Sequence, residues 1–334
     1  MNIALIGRSE LLYSTAELLL ANKHTIKLIV TSCESDEYKK TADDFEKLAK
    51  KIDAEYLYTS QINDVDNINI IKSCGQIDIG ISINYINVIS QKVIDLFSLG
   101  ILNAHGGDLA SISSVPWQIT SMGSQDAHGG DLPRYRGNAC QSWAIINSED
   151  RIGLCIHKMI GNELDSGAII EREYLPLNIS TKIGDVYTWM EKEIPSMFVS
   201  AINRLGNDSD YVLSHQSQST EDILRCYPRK PEDGKIDWAK TNIEILRLIN
   251  ASGYPFSGAF CFFQNSKLIV WDAELYNDNE CYCAVTGQVA AINRDEGYII
   301  VITGSGKLKI NKITYNNRST NPSEICNSLR DRLV

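Results

Sequence analysis

Short apolar runs alternate with segments of helical periodicity through the first hundred residues of the chain. The apolar runs are predicted strands, at residues 3–6, 25–30, 55–58, 77–83 and 100–103. Apolar residues spaced three and four apart predict helices between them: one that Ser9 would cap, then residues 42–52, 65–71 and 89–97. This alternation predicts an α/β fold with a mostly parallel sheet and helices on both of its faces. Ligands bind such sheets beyond the carboxyl ends of the strands, where Asn103 and the residues after it would lie.

The pattern changes in the second half of the chain. Helices are predicted at residues 137–147 and 184–205, with strands at 153–159 and 168–171 between them. Residues 207–221 are polar and poorly patterned, as is typical of a linker. After a predicted helix at 242–250, five short alternating runs predict a small C-terminal antiparallel β-barrel: residues 259–263, 268–273, 287–292, 298–303 and 307–313. We therefore expect one domain at residues 1–206 and a second at 222–334.

Composition narrows the range of partners. With 32 basic and 42 acidic residues the formal net charge is −10, which argues against a nucleic-acid partner because binding phosphates requires a basic face. No apolar run reaches the roughly 18 residues of a membrane span, and the first residues lack the basic and apolar regions of a secretory signal. Nine cysteines without paired spacing predict reduced thiols and no metal site. We expect a cytoplasmic protein with no membrane partner.

Three short motifs carry side chains suited to acyl transfer, at residues 103–105, 132–137 and 164–167. The first ends in a histidine, and a histidine can take up the proton of an attacking amine because its pKa lies near neutral pH. The amide of Asn103 can donate a hydrogen bond to the oxyanion of a tetrahedral intermediate. The carboxylate of Asp165 can orient an imidazole and stabilise its charged form. Together these residues predict a site for acyl transfer to an amine.

Six stretches carry a common pattern: Asn-x-His at 103–105, Leu-Pro-x-x-Arg-Gly at 132–137, Leu-Asp-Ser-Gly at 164–167, and residues 152–159, 227–238 and 254–260. They resemble the 10-formyltetrahydrofolate-dependent formyltransferases, a family that includes methionyl-tRNA, glycinamide ribonucleotide and sugar-nucleotide N-formyltransferases. The resemblance implies a Rossmann-like catalytic domain at residues 1–206. It also implies an N-formyltransferase that uses 10-formyltetrahydrofolate as its co-substrate and requires no metal.

The resemblance assigns roles to individual residues. Asn103, His105 and Asp165 take the catalytic positions. Two loops would hold the pterin of the folate, largely through backbone groups, and their residues are Tyr85, Ile86, Asn87 and Val88 in one, and Gly161, Asn162, Glu163 and Leu164 in the other.

The motifs around residues 130–140 and 163–167 look closest to those of sugar N-formyltransferases. We therefore expect the amine to be a nucleotide-linked amino sugar of surface-polysaccharide biosynthesis, such as that of the lipopolysaccharide O-antigen. Arg134, Tyr135 and Arg136 are the expected substrate contacts, and a guanidinium binds a phosphate well. Surface ion pairs that hold the loop are an equal alternative for the two arginines. Methionyl-tRNA remains an alternative substrate, which the net charge of −10 disfavours, and formation of a homodimer is left open.

The segment that contains His105 is duplicated. Residues 104–109 recur unchanged as residues 127–132, with 17 residues between the two copies. One copy and the spacer amount to a 23-residue insertion, at 104–126, within the predicted active-site loop. The insertion opens a third possibility for the function, namely a catalytically impaired family member that binds its ligand without turnover.

Only one of the two copies can supply the working histidine. His105 keeps the spacing of the motif, two residues after Asn103. The residue two before His128 is Asp126, whose ionised carboxylate accepts hydrogen bonds but does not donate them. We therefore favour His105 and keep His128 as the alternative. His157, on a predicted strand, is interpreted as a packed or hydrogen-bonded histidine that could line the cleft.

Overall fold

The computed structural model describes residues 1–33, 38–105 and 132–334, and of His105 it describes the backbone alone. His128, the alternative catalytic histidine, lies outside these residues. The chain forms two compact units. The first consists of Met1–Cys140, Ile152–Leu175 and Tyr187–Pro228, and the second of Gln141–Arg151, Pro176–Val186 and Arg229–Val334.

The first unit is built on a seven-stranded sheet. Its strands are β1 (Asn2–Gly7), β2 (Thr25–Thr31), β3 (Glu55–Tyr58), β4 (Ile79–Ile83), β5 (Ile101–His105), β7 (Arg151–Lys158) and β8 (Ile169–Pro176), while β6 (Arg136–Gly137) lies outside this sheet. The strand order is β3-β2-β1-β4-β5-β7-β8. Strands β1 to β5 pair in parallel, and β7 pairs antiparallel with β5.

Both faces of this sheet are covered by apolar side chains. Ala4 and Ile6 of β1 belong to a buried cluster with residues of the segments 62–71 and 89–97. Ile3 and Leu5 point to the opposite face, because side chains alternate along a strand, and they are also fully buried. A sheet of parallel strands buried on both faces explains why their sequences are continuous apolar runs.

Six helices accompany or follow these strands: α1 (Ser9–Ala21), α2 (Ala42–Ile52), α3 (Val65–Ser73), α4 (Gln91–Ile94), α5 (Cys140–Ile146) and α6 (Ile183–Asn207). Helix α2 begins with a capping box, in which the Thr41 side chain accepts from the backbone N–H of Asp44 and the Asp44 carboxylate accepts from that of Thr41. Within the described ranges no helix is long and apolar enough to cross a membrane.

The expected cap at Ser9 is wrong. The residue at the N-cap of α1 is Arg8, and no side chain caps the helix. Ser9 is the first residue of α1, but its φ of 83° is not helical. Its buried hydroxyl accepts a hydrogen bond from Asn84 Nδ2 at 3.3 Å. The hydroxyl therefore contributes to a contact between α1 and the end of β4 instead of satisfying the first helical turn.

The second unit contains a separate antiparallel sheet. Its elements after residue 228 are a 3₁₀ helix (Pro231–Gly234), α7 (Asn242–Ser252), β10 (Ala259–Phe263), β11 (Ser266–Tyr276), β12 (Val289–Ile292), β13 (Ile299–Ile302), β14 (Lys307–Tyr315), β15 (Arg318–Thr320) and α8 (Pro322–Ile325), while β9 (Arg225–Cys226) precedes them in the first unit. The order is β10-β11-β14-β13-β12, with β15 on β14. Apolar side chains of these strands and of α7 form one buried core.

The predicted fold class is confirmed: a mostly parallel sheet in an α/β arrangement and a separate antiparallel sheet near the C-terminus. Residues 89–97, predicted as a helix, contain only the short α4 (Gln91–Ile94). Residues 213–228 belong to the first compact unit, where β9 pairs in parallel with β6. The division into domains at 1–206 and 222–334 with a linker at 207–221 stays a prediction.

Candidate active site

Asn103 and His157 face each other at the carboxyl end of β5. The antiparallel register of β5 and β7 makes them direct partners, and on its other side Asn103 pairs with Ser82 of β4. Asn103 Nδ2 lies 3.5 Å from His157 Nε2, and Asp165 Oδ1 lies 3.7 Å from the same nitrogen. All three residues are buried, with 5% exposure or less. The structure thus brings an amide, an imidazole and a carboxylate together at the edge of the sheet where the sequence predicted the site.

The hydrogen bonds of His157 define its neutral form. Nδ1 lies 3.0 Å from the backbone carbonyl oxygen of Lys158, and a carbonyl can only accept, so Nδ1 carries the proton. In the neutral ring Nε2 is then an acceptor, and it faces the donor amide of Asn103. If the ring gains a second proton, Nε2–H becomes a donor that faces the carboxylate of Asp165. Nε2 therefore faces a donor, the Asn103 amide, when the ring is neutral, and an acceptor, the Asp165 carboxylate, when the ring is protonated.

A tight loop holds the Asp165 carboxylate in place. Asp165 has a φ of 48°, in the left-handed region that non-glycine residues rarely occupy. Its Oδ2 accepts a hydrogen bond from the backbone N–H of Gly137 at 3.3 Å, and the next hydroxyl, of Ser166, donates to Glu163 Oε2 at 2.6 Å. Gly167 packs so closely that an added Cβ would lie 1.8 Å from the carbonyl oxygen of Lys158. The carboxylate is therefore bound by the Gly137 N–H, and the loop that carries it has close contacts at Ser166 and Gly167.

The three predicted substrate contacts lie on the segment that leads into this site. Arg136 belongs to β6, and its Nη2 donates to Gln216 Oε1 at 3.0 Å. Burial lowers the pKa of Arg136, while the negative charges of Asp165 and Glu163 act in the opposite direction. Tyr135 is buried with a φ of 54°, and the exposed guanidinium of Arg134 lies 5.7 Å from the centre of its ring. Arg136 is thus close enough to Asp165 for the negative charge of the carboxylate to act on the pKa of the guanidinium.

Two models of one protein family match the chain. The model for the formyl transferase domain matches residues 118–202, and the model for the formyl transferase C-terminal domain matches residues 229–330. Together they span more than half of the sequence. The chain belongs to the formyltransferase family. The first match includes His128 and Asp165 and begins after Asn103 and His105.

Solved structures of formyltransferases share the fold at low sequence identity. A structure of WlaRD, a sugar 3N-formyltransferase with dTDP and 5-N-formyl-THF, has a TM-score of 0.62 and 19% identity over 95% of this chain and 98% of that one. An N-formyltransferase from Helicobacter canadensis with folinic acid and dTDP-3-aminofucose has a TM-score of 0.62 and 16% identity over 92% of this chain and 98% of that one. HypX from Aquifex aeolicus with tetrahydrofolic acid has a TM-score of 0.58 and 14% identity over 98% of this chain. The chain spans less than half the length of HypX (47%).

A transfer-RNA enzyme has the same fold. Methionyl-tRNA formyltransferase from Clostridium thermocellum matches with a TM-score of 0.52 and 13% identity over 83% of this chain and 94% of that one. At such identities the likeness shows the fold, and the substrate has to be argued from this chain's own residues.

The two loops predicted to hold the folate lie next to each other in this formyltransferase. The backbone N–H of Gly161 donates to the Gln91 side chain at 2.9 Å, and an added Cβ on Gly161 would lie 2.4 Å from the Gln91 nitrogen. Helix α4, which begins at Gln91, follows the loop of Tyr85 to Val88 directly. A contact with the segment after β3 helps to fix the shape of that loop: the Tyr85 hydroxyl donates to the Thr59 carbonyl at 2.9 Å.

Further contacts anchor the first folate loop to the segment after β3. Asn87 Nδ2 donates to the Ser60 carbonyl at 2.5 Å, and the Val88 carbonyl accepts from Asn63 Nδ2 at 2.8 Å. In the second loop, Asn162 has a φ of 63° and the Glu163 N–H donates to the Ile160 carbonyl at 3.2 Å. Both loops are thus fixed by hydrogen bonds of their own.

Unused polar groups fit a folate co-substrate and an amine. Among the described residues, the backbone groups of Ile86 and Leu164 make no backbone–backbone hydrogen bond in a turn or loop, which is what a pterin ring bound through backbone groups requires. The buried Oδ1 of Asn103 has no hydrogen-bond partner among the described residues, and a buried acceptor without a donor is costly, so it suits the N–H of an incoming amine. In the described part of the chain, no group of three or more His, Cys, Asp or Glu side chains is arranged to hold a metal.

Two residues of the site were missed or undervalued by sequence reasoning. His157 was interpreted as a packed or hydrogen-bonded histidine that could line the cleft and was given no place among the catalytic residues, yet its Nε2 faces both Asn103 and Asp165. Gln216 lies in the polar stretch predicted as a linker, yet its side chain bonds to the Asp165 loop. A polar residue next to a predicted strand end was the available signal for His157. Gln216 had no such signal.

Proposed function

We propose that this formyltransferase transfers a formyl group from 10-formyltetrahydrofolate to the amino group of a nucleotide-linked amino sugar. The observation that carries the proposal is the buried trio of Asn103, His157 and Asp165, in which Asn103 Oδ1 has no partner among the residues that the structure describes. The sugar is supported by two relatives of nearly the same length, one of which is bound to dTDP-3-aminofucose. The setting we propose is surface-polysaccharide biosynthesis in the cytoplasm, such as that of an O-antigen.

Each residue of the trio has a distinct part in the proposed reaction. The amine nitrogen attacks the formyl carbon of the folate co-substrate, the bond between that carbon and N10 of the folate breaks, and N10 of the departing tetrahydrofolate receives the proton that the amine loses. Asn103 Oδ1 accepts a hydrogen bond from the attacking amine, and an N–H of the same amide donates to the formyl oxygen as that oxygen gains negative charge. Asp165 stabilises the positive charge of a histidine that takes up the proton of the amine.

The working histidine is proposed to be His105, and His128 is the alternative. His157 holds Asn103 and Asp165 in register from the neighbouring strand. We assign the pterin to the loops of Tyr85–Val88 and Gly161–Leu164, and the diphosphate of the sugar nucleotide to Arg134 and Arg136. The ring of Tyr135, which lies beneath the guanidinium of Arg134, keeps that segment in shape.

A panel of nucleotide-linked amino sugars tests the proposal. Each is incubated with 10-formyltetrahydrofolate, and mass spectrometry follows the gain of one formyl group on the amine. Formylation of at least one sugar nucleotide is the expected result. Binding of a folate analogue and of a sugar nucleotide by calorimetry, with no formylation of any sugar, would instead support the impaired family member that binds without turnover.

The duplicated motif is tested in the same assay. We expect His105→Ala to abolish turnover and His128→Ala to have a mild effect. Deletion of residues 104–126 restores an uninterrupted motif and is expected to be at least as active as the parent, since removing 23 residues lowers the entropic cost of closing the connection between β5 and β6 by only about 1 kcal/mol. Loss of activity in His128→Ala alone would assign the role to the second copy.

Methionyl-tRNA is the second candidate substrate, because an enzyme of that specificity has the same fold. The formal net charge of −10 disfavours it, since most of the affinity for nucleic acid comes from cationic side chains on phosphates. A mobility-shift assay with initiator tRNA at physiological salt is expected to show no specific complex. Tight binding with a steep salt dependence would overturn the sugar assignment.

A further inference from the structure

The side chain of Gln216 uses its full amide to bridge the site. Its Nε2 donates to the backbone carbonyl of Asp165 at 2.8 Å and to that of Gly167, also at 2.8 Å. Its Oε1 accepts from Arg136 Nη2 at 3.0 Å. The residue is buried, with 7% exposure. One side chain therefore connects the loop of the proposed catalytic carboxylate to a proposed substrate-binding arginine.

The backbone around Gln216 is held against the sheet. After α6 the chain returns to β8, where the N–H of Ile169 donates to the Ser214 carbonyl at 2.9 Å and the N–H of Leu213 donates to the Ile169 carbonyl at 2.9 Å. This pairing delivers Gln216, two residues later, to the turn that precedes β8. The amide is thus positioned by main-chain bonds and does not depend on a long flexible connection.

The Asp165 loop needs such a partner. Its carbonyls at Asp165 and Gly167 lie in a buried region, where a carbonyl without a donor is unfavourable. Asp165 has the left-handed φ of 48°, a conformation that persists only where surrounding contacts stabilise it. The Asp165 loop also contacts Gly137, whose N–H donates to Asp165 Oδ2 at 3.3 Å, whereas the Gln216 amide bonds to the carbonyls on both sides of Ser166. Removing the amide would let the carboxylate move even if the sheet itself stays intact.

We propose that Gln216 is a positioning residue for formyl transfer, which sets the Asp165 carboxylate and Arg136 at a fixed separation. The expected effect of Gln216 on the rate of formyl transfer rests on the proposed function. Its expected effect on the stability of the loop rests on the hydrogen bonds alone. Two measurements separate these parts: steady-state kinetics, and hydrogen exchange of the loop without any substrate.

Gln216→Met removes all three hydrogen bonds at nearly constant volume. Ser214→Ala is the matched control, because it lies in the same segment and the buried Ser214 hydroxyl has no partner in the described part of the chain. We expect Gln216→Met to lower kcat by about ten- to a hundredfold with an unchanged KM for the folate, because a displacement of about 1 Å is enough for such a loss. Ser214→Ala should keep the parent kcat. An equal kcat in Gln216→Met and the parent would overturn the proposal.

Hydrogen exchange decides the matter independently of the substrate. Peptides that cover residues 163–167 should exchange at least about tenfold faster in Gln216→Met than in the parent or in Ser214→Ala, because the loop opens more often. If no amine tested is formylated by the parent, the proposed function fails while this comparison still tests the role of Gln216. Unchanged exchange would show that the amide does not hold the loop.

Should Gln216→Met not fold, Gln216→Asn takes its place in both measurements. It keeps an amide that is one methylene shorter and cannot span both carbonyls and Arg136 at once. A smaller loss of kcat and a smaller rise in exchange than expected for complete removal are then the supporting result, and parent values in both are the contradicting one.

Discussion

Asp165→Asn tests whether the negative charge of the buried carboxylate contributes to turnover. The two side chains have nearly the same shape, and the asparagine oxygen can still accept the hydrogen bond that Gly137 N–H now gives at 3.3 Å. The substitution therefore removes the charge with little change in packing. We expect a folded protein with a strongly reduced kcat.

The size of the loss follows from the geometry. Asp165 Oδ1 lies 3.7 Å from His157 Nε2, and both side chains are almost fully buried. The charge that Asp165 stabilises in the proposed reaction is that of the working histidine, and if this ring approaches the carboxylate as closely as His157 does, two unit charges about 4 Å apart attract each other by about 4 kcal/mol at an effective dielectric constant of about 20. A factor of ten in rate corresponds to about 1.4 kcal/mol, so complete loss of this stabilisation would cost about a thousandfold. Partial compensation by the amide dipole leads us to expect between about a hundredfold and a thousandfold.

The assay is formyl transfer to the best sugar nucleotide of the panel, with kcat and KM measured for parent and variant. Asp43→Asn is the control, because Asp43 is an exposed carboxylate in a surface ion pair with Lys47, and its loss should leave kcat unchanged. Circular dichroism and thermal melts establish that both variants are folded. A folded Asp165→Asn with a kcat within a few-fold of the parent would refute the role of the charge.

Three further predictions concern stability and are checked by thermal or urea unfolding. Gly167→Ala should destabilise the fold by about 3 kcal/mol, because its Cβ would lie 1.8 Å from a backbone oxygen. Gly206→Ala, in helix α6, should cost much less, because its Cβ would meet only the flexible end of the Met1 side chain, at 3.3 Å. Tyr85→Phe should cost about 1–3 kcal/mol because its hydroxyl bonds to two buried backbone groups, whereas the exposed Tyr58→Phe should cost nothing measurable. Burial lowers the pKa of His24, so the neutral imidazole contributes stability above about pH 6.5, and that contribution is lost as the pH falls. His24→Gln should therefore show a smaller drop in melting temperature than the parent between about pH 7.5 and 5.5. An identical drop in the two proteins would contradict this.

Much of the fold could be predicted because its local patterns agree with its tertiary contacts. Helix α2 has the predicted bounds, since its apolar periodicity coincides with a capping box at Thr41. The start of α1 was wrong because a serine before an apolar stretch is an ambiguous signal, and here contact with Asn84 determines its conformation. The predicted helix at 89–97 is mostly irregular, because its apolar side chains are buried by packing on the sheet and a longer helix is not needed for that.

The candidate site was predictable only where its residues share a motif. Asn103 and Asp165 were identified from short motifs at strand ends. The contact with His157 depends on the register of two antiparallel strands, which a periodic pattern does not specify. Gln216 lies 51 residues from Asp165 in sequence, in a polar stretch that resembles any surface connection. Its contacts depend on the pairing of Ile169 with Ser214, and no local propensity encodes that pairing.

A competition between the two candidate amines tests the central claim most directly. The protein is given 10-formyltetrahydrofolate together with equal concentrations of a nucleotide-linked amino sugar and methionyl-tRNA, and the formylated products are quantified by mass spectrometry in parent and Asp165→Asn. We predict formyl transfer to the amino sugar alone, reduced at least about a hundredfold in the variant. Formylation of the tRNA, or transfer to the sugar that does not depend on Asp165, would contradict the account.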